Sequence, residues 1–140
     1  MVMVVAAFTF DHPAGVSVAP YLREAELLQA VPDAASRKRD MKTGWVWYDL
    51  APFADAECRV GFSIAFYGGV IREVRIGISH PEFGTGWGDW SDAKEEMRVQ
   101  RLTKWLKARG YDLGKYPWGE VWADRDVKTG DGNAGIRYAA

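Results

Sequence analysis

A single cysteine, Cys58, among 140 residues excludes an internal disulfide, and with only His12 and His80 as histidines no Cys/His cluster has zinc spacing. There is no excess of positive charge either. Eighteen Lys and Arg stand against nineteen Asp and Glu, a net charge of -1, so nucleic acid and anionic membranes are not expected partners. Only Arg37-Lys38-Arg39 is locally basic. Long apolar runs are missing as well. The apolar N-terminus, Met1 to Phe10, lacks a basic leading region and is too short to span a bilayer. It reads as a strand, with a cleaved signal as the lesser alternative, and the chain is expected to be soluble and cytoplasmic.

The familiar catalytic signatures are absent. No G-x-S-x-G, H-E-x-x-H or S-x-x-K occurs. Gly84-x-Gly86-x-Gly88 follows a strand and precedes a helix, the context of a phosphate loop, but the spacing is wrong and no lysine stands in the P-loop position. Asp89, Asp92, Glu95 and Glu96 would repel a phosphate there. Asp124-x-Asp126-x-Lys128 begins like a calcium loop, yet Thr129 occupies the glycine position and Gly135 that of the bidentate glutamate. A hairpin turn explains it better. Cys58 and His80 lie on neighbouring strands and form a nucleophile and base only if the fold joins them; a lone strand cysteine is usually packing. No cofactor or metal is expected.

What the chain has is aromatic surface: 48% of its residues are hydrophobic and seven are tryptophan. That suffices for one domain, residues 1–140, with a core that needs no staples. After the first strand and the turn Asp11 to Gly15, a hairpin with Val16-Ser-Val18 is available. Pro20 suits a first helical position, and Tyr21 to Val31 reads as a helix with Tyr21, Leu22, Ala25, Leu28 and Val31 inward, stopped by Pro32. Residues 33–43 read as a connection or short helical turn, 45–50 as a strand and 51–55 as a turn. From Cys58 to Phe66 the residues alternate, with Val60, Phe62, Ile64 and Phe66 on one face. Gly68-Gly69 turns the chain, and the return strand places Val74, Ile76 and Ile78 on the core face with Glu73 and Arg75 on a wet one. Strands are also expected at 119–123 and 134–138, joined by the polar turn 124–133.

The remaining helix, near 92 to 109, has Ser91 or Asp92 as cap, Asp92 and Glu95 at capping-box spacing, and Gly110 as a C-terminal stop. Val99, Leu102, Trp105 and Leu106 form its inner stripe. The order of elements gives an α+β fold, a single antiparallel sheet with two helices packed on one face. Trp87 and Trp90 stand among Asp89, Asp92, Glu95 and Glu96 just before and inside this helix. Core tryptophans and a capped helix explain these residues one at a time, but as a cluster they suit a protein partner: tryptophan anchors an interface and carboxylates meet a basic cleft.

Gly86-Trp-Gly-Asp-Trp-Ser-Asp92, a charged helix ending in Trp105-Leu106, Tyr116-Pro-Trp-Gly-Glu-Val121, Asp126-x-Lys128 and Ile136-Arg-Tyr138 together make a pattern. Over residues 44 to 138 it resembles a group of small bacterial α+β proteins, some of which accompany polymorphic or type VI secretion toxins as immunity proteins. The resemblance implies a non-enzymatic protein that binds a cognate toxin and occludes its active site. The residues nominated for contact are Trp87, Asp89, Trp90, Asp92, Glu95 and Glu96. Two other readings stand beside it: a small hydrolase or transferase using the loop carboxylates with Asp124 or Asp126, and a homodimer held by its aromatic surface.

Overall fold

A computed structural model describes residues 9–10, 17–55, 58–83, 88, 90–126 and 128–139. In chain order the elements are α1 (Glu24–Ala30), β1 (Lys38–Asp40), β2 (Trp45–Asp49), β3 (Phe53–Asp55), β4 (Cys58–Tyr67), β5 (Val70–Ser79), α2 (Asp92–Ala108), β6 (Gly114–Tyr116), β7 (Gly119–Arg125) and β8 (Gly132–Tyr138), with short 3-10 turns at Pro32–Arg37 and Pro81–Phe83. All eight strands join one antiparallel sheet in the order β1-β2-β4-β5-β8-β7-β6, with β3 also paired to β4. The class is therefore α+β.

The period-two alternation of β4 and β5 builds the centre of the sheet. Gly68 and Gly69 both have positive φ, 62° and 80°, as a tight two-residue hairpin turn demands. The turn sets Ile64 opposite Val74, Phe62 opposite Ile76 and Val60 opposite Ile78, all buried. Each such side chain contributes roughly 1.5–3 kcal/mol by leaving water. Ala134, Ile136 and Val121 extend this core across β8 and β7.

Helix α2 forms where expected. The Ser91 hydroxyl accepts the Lys94 N–H at 3.2 Å, and beyond Arg109, Gly110 at φ 92° lets the Tyr111 N–H close back on the Leu106 carbonyl at 3.1 Å. Leu102 and Leu106 are buried. Trp105 meets Phe62 edge-on at 6.2 Å, and its indole N–H donates to Asp55 at 2.7 Å. That aspartate also pairs with Arg109, which lies over the Trp105 ring.

The N-terminal region departs from expectation. Residues 1–8 of the expected first strand lie outside the described residues, while Phe10 and Val18 exchange two backbone hydrogen bonds, the pairing a hairpin requires. The first helix begins at Glu24 rather than Tyr21. Tyr21 is 84% exposed at φ 71°, and Ala25 is exposed, so neither faces inward. The reason is tertiary: the Leu22 carbonyl accepts the Ile71 N–H and the Gly69 carbonyl accepts the Glu24 N–H, which ties 22–24 to the central hairpin in extended form. Leu27 becomes the buried anchor of α1, and Glu24 accepts the Tyr48 hydroxyl at 2.5 Å. Strands β1, β3 and β6 were not anticipated; each is only three residues long and exists by pairing with a longer neighbour.

Candidate functional site

Alternation puts the core residues of β2, β4, β5, β7 and β8 on one side of the sheet, so the intervening residues share the other. There, the register aligns Arg39 beside Trp47, Trp47 beside Ala65, Ala65 beside Glu73, and Glu73 beside Arg137. A second row runs Asp49, Ser63, Arg75, Gly135, Trp122. Ala65, Ser63 and Gly135 are small, which leaves room for large side chains from the strands beside them to meet above.

At the centre is Glu73, whose side chain is only 6% exposed although it lies on this face. One oxygen accepts the Arg75 Nε–H at 3.1 Å; the other accepts Arg137 Nε–H and Nη2–H at 3.1 and 2.9 Å. The expectation of a wet Glu73 is thus corrected: two arginines cover it. Both guanidiniums are backed by indoles, Arg75 lying 5.1 Å from the centre of Trp47 and Arg137 5.2 Å from that of Trp122. Arg39, from the opposite side of β2, lies 5.7 Å from Trp47 and donates to Asp49 at 2.8 Å. Burial pushes the Asp49 carboxyl up, but the Ser63 hydroxyl at 2.6 Å and Arg39 outweigh it and hold it below its ordinary range.

Trp122 packs against Gly135, where a Cβ would come within 2.1 Å of the ring. The pairing of β4 with β5 shifts between Ala65 and Phe66, because Ile71 pairs with Phe66 and Glu73 with Ala65. Arg72 is the extra residue of that bulge. Its guanidinium lies 5.7 Å from the Tyr67 ring and makes no ion pair among the described residues. Arg72, Arg75 and Arg137 line an open groove of about 740 Å³ with Trp45, Trp47 and Tyr116. The arrangement is suited to holding anionic groups against a preorganised set of N–H donors.

The residues nominated from sequence fare differently. Trp87 and Asp89 lie outside the described residues. Trp90 is exposed at a corner by Gly130, with the Arg125 guanidinium 6.0 Å from its ring. Asp92, 75% exposed, pairs with Arg125 at 2.5 Å, and Glu96 lies 3.7 Å from the same arginine. Trp90, Asp92 and Glu96 thus converge on one cation. Glu95 does not join them. It is 2% exposed, accepts the Gly132 N–H at 2.9 Å and lies 3.3 Å from Arg98 Nε, so it ties α2 to β8 instead of facing outward or closing a capping box.

The other motifs resolve locally. Asp126 accepts the N–H groups of Lys128 and Thr129 at 2.7 and 2.9 Å, which hold its carboxyl below the usual range, the opposite of what a general acid needs. Cys58 is buried in the core, and His80 Nδ1 accepts the Glu82 N–H at 3.1 Å. His12 lies outside the described residues. Among the described residues no group of three His, Cys, Asp or Glu is placed to hold a metal ion.

Sequence reasoning did not find the arginine face. Its residues come from positions 39, 47, 72, 73, 75, 122 and 137, and the one available signal was the small outer residues of β4 facing Glu73 and Arg75. No family model, curated protein or solved structure matches this chain.

Proposed function

We propose that this chain is a non-enzymatic protein-binding domain, most concretely an immunity protein that neutralises a cognate bacterial toxin in the cytoplasm by occluding its active site. The observation that carries the reading is the solvent-open sheet face, where Trp47, Arg75, Arg137 and Trp122 are locked around buried Glu73. Arginine and tryptophan are the residue types that dominate interface energies, and side chains held in place before binding lose little entropy on it. We infer further that both helices cover the opposite face of the sheet: α2 through Trp105 on Phe62, α1 through Glu24 on Tyr48. That arrangement leaves the arginine face for a partner.

The immunity reading itself comes from the resemblance of residues 44 to 138 to small bacterial α+β proteins, some of which are immunity proteins, and it stands as part of this proposal. Trp90, Asp92 and Glu96 form a second candidate contact, to which Trp87 and Asp89 belong by sequence; Glu95 is withdrawn from it because it serves the fold. No helix among the described residues is long and apolar enough to cross a membrane, which a cytoplasmic protein does not need.

The test is affinity capture from the native organism with this protein as bait, identification of the co-eluting chain by mass, and expression of that chain with and without its captor. The expected result is a stoichiometric partner that arrests growth alone and not in the presence of this protein. A bait that elutes alone, or a partner whose toxicity is unchanged, refutes the proposal.

A further inference from the structure

We infer that the arginine face recognises an acidic segment of a protein partner, a run of Asp or Glu side chains, through the guanidiniums of Arg72, Arg75 and Arg137. The inference rests on the protein-binding reading above and names the chemistry of the surface to be met.

Arg72, Arg75, Arg137 and Lys115 line the groove against the two carboxylates of Glu73 and Glu120, which leaves an excess of positive charge, and Arg72 has no carboxylate partner among the described residues. Glu73 engages only Nε of Arg75 and Nε with Nη2 of Arg137. Among the described residues, both Nη groups of Arg75 and Nη1 of Arg137 therefore keep donors to offer, in the planar fork that matches a carboxylate. Glu73 is too buried to compete for an incoming cation; it acts as the internal counter-ion that holds two arginines in place.

The placement of the indoles favours carboxylates over nucleic acid. An aromatic sheet face that binds single strands needs ring faces free for base stacking. Here Trp47 is approached by Arg39 from β1 and Arg75 from β5, on the two sides of its own strand. Trp122 rests on Gly135 and carries Arg137. Trp47 and Trp122 are thus committed to orienting guanidiniums, while Trp45 contacts Tyr67 and Tyr116 stacks on Trp118, so recognition falls to N–H donors. A second groove, lined by Tyr21, Tyr67 and Trp118, adjoins the first at the shared residues Arg72, Tyr138 and Ala139 and offers room for a chain longer than a single side chain.

The experiment uses the full chain with fluorescein-labelled octaglutamate as probe, octaglutamine as the uncharged control and an oligodeoxythymidine as the phosphate control, read by anisotropy. The variants are Arg72→Gln, which gives up no internal ion pair, and Arg137→Gln, each checked by a thermal melt. The expected result is binding of octaglutamate but not octaglutamine, weakened about three- to tenfold by Arg72→Gln and further by added salt. The inference is overturned if octaglutamate binds no better than octaglutamine, if both folded variants bind like the wild type, or if oligodeoxythymidine binds more tightly at equal salt. A captured toxin that binds Arg72→Gln and Arg137→Gln as tightly as wild type removes this site and leaves the protein-binding reading standing. Octaglutamate binding without any captured partner keeps the anion site and removes that reading.

Discussion

Replacing Glu95 with alanine removes the acceptor of the Gly132 N–H and the only carboxylate paired with Arg98 among the described residues. A hydrogen bond to a charged group is worth about 1.5–3 kcal/mol. Arg98 keeps its bond to the Ile78 carbonyl at 2.5 Å, but its Nε is buried without a hydrogen-bond partner among the described residues and would lose its counter-ion. Removing one member of a buried pair costs roughly 3–5 kcal/mol. These costs describe overlapping interactions, and the Arg98 side chain is 20% exposed, so the expected loss is about 3 kcal/mol, at the low end of that range. For a domain of this length that corresponds to a fall in Tm of roughly 10 °C. Glu95→Gln, which retains one oxygen, is expected to cost about half as much. Urea and thermal melts of both, beside Asp92→Ala, are the assay; the exposed aspartate is expected to cost less than about 1 kcal/mol. A Glu95→Ala protein as stable as Asp92→Ala would refute the assignment of Glu95 to the fold.

Gly135→Ala pushes a Cβ to within 2.1 Å of the Trp122 ring, so the indole must leave its seat and Arg137 loses its backing. About 1–3 kcal/mol of destabilisation and a shift in tryptophan emission are expected, and an unchanged spectrum would contradict the packing. Gly119→Ala is expected to be worse, because its Cβ would meet the Arg137 carbonyl, which belongs to the backbone of β8; loss of a cooperative melt is the readout. The folded-state pKa of Asp49 is depressed, so the stability it contributes is present above the ordinary carboxylate pKa and lost as pH falls through the folded value. Asp49→Asn should therefore lower stability at neutral pH and flatten its fall below about pH 4, which melts across that range will show. Reversing Asp89 and Asp92 to lysine is expected to weaken a captured partner by at least about 2 kcal/mol in titration calorimetry while the domain stays folded; unchanged affinity removes that corner from the interface.

Much of the frame was legible because it depends on rules that act over a few residues. Alternation marked β4 and β5, two glycines marked their turn, and Ser91 with Gly110 bracketed α2. The acidic cluster was legible as a cluster, but not which of its members turn inward. Asp92, Glu95 and Glu96 follow one another within a turn and a half of helix, and their fates diverge because Gly132 brings β8 against α2 at Glu95: a Cβ there would lie 2.6 Å from the Glu95 carbonyl. Tyr21 was misplaced for a related reason, since hydrogen bonds to the central hairpin override local helical preference.

By itself, then, the sequence determined which side chains of a strand share a side, where the long helix starts and stops, and that no disulfide closes the chain. Only the tertiary structure decided who stands beside whom. Periodicity assigns Arg75 and Glu73 to a face, but strand order and the bulge at Arg72 bring Trp47, Arg137 and Trp122 to them from 26 to 64 positions away. Adjacency across strands is set by hydrogen-bond register, and register is a property of the whole sheet.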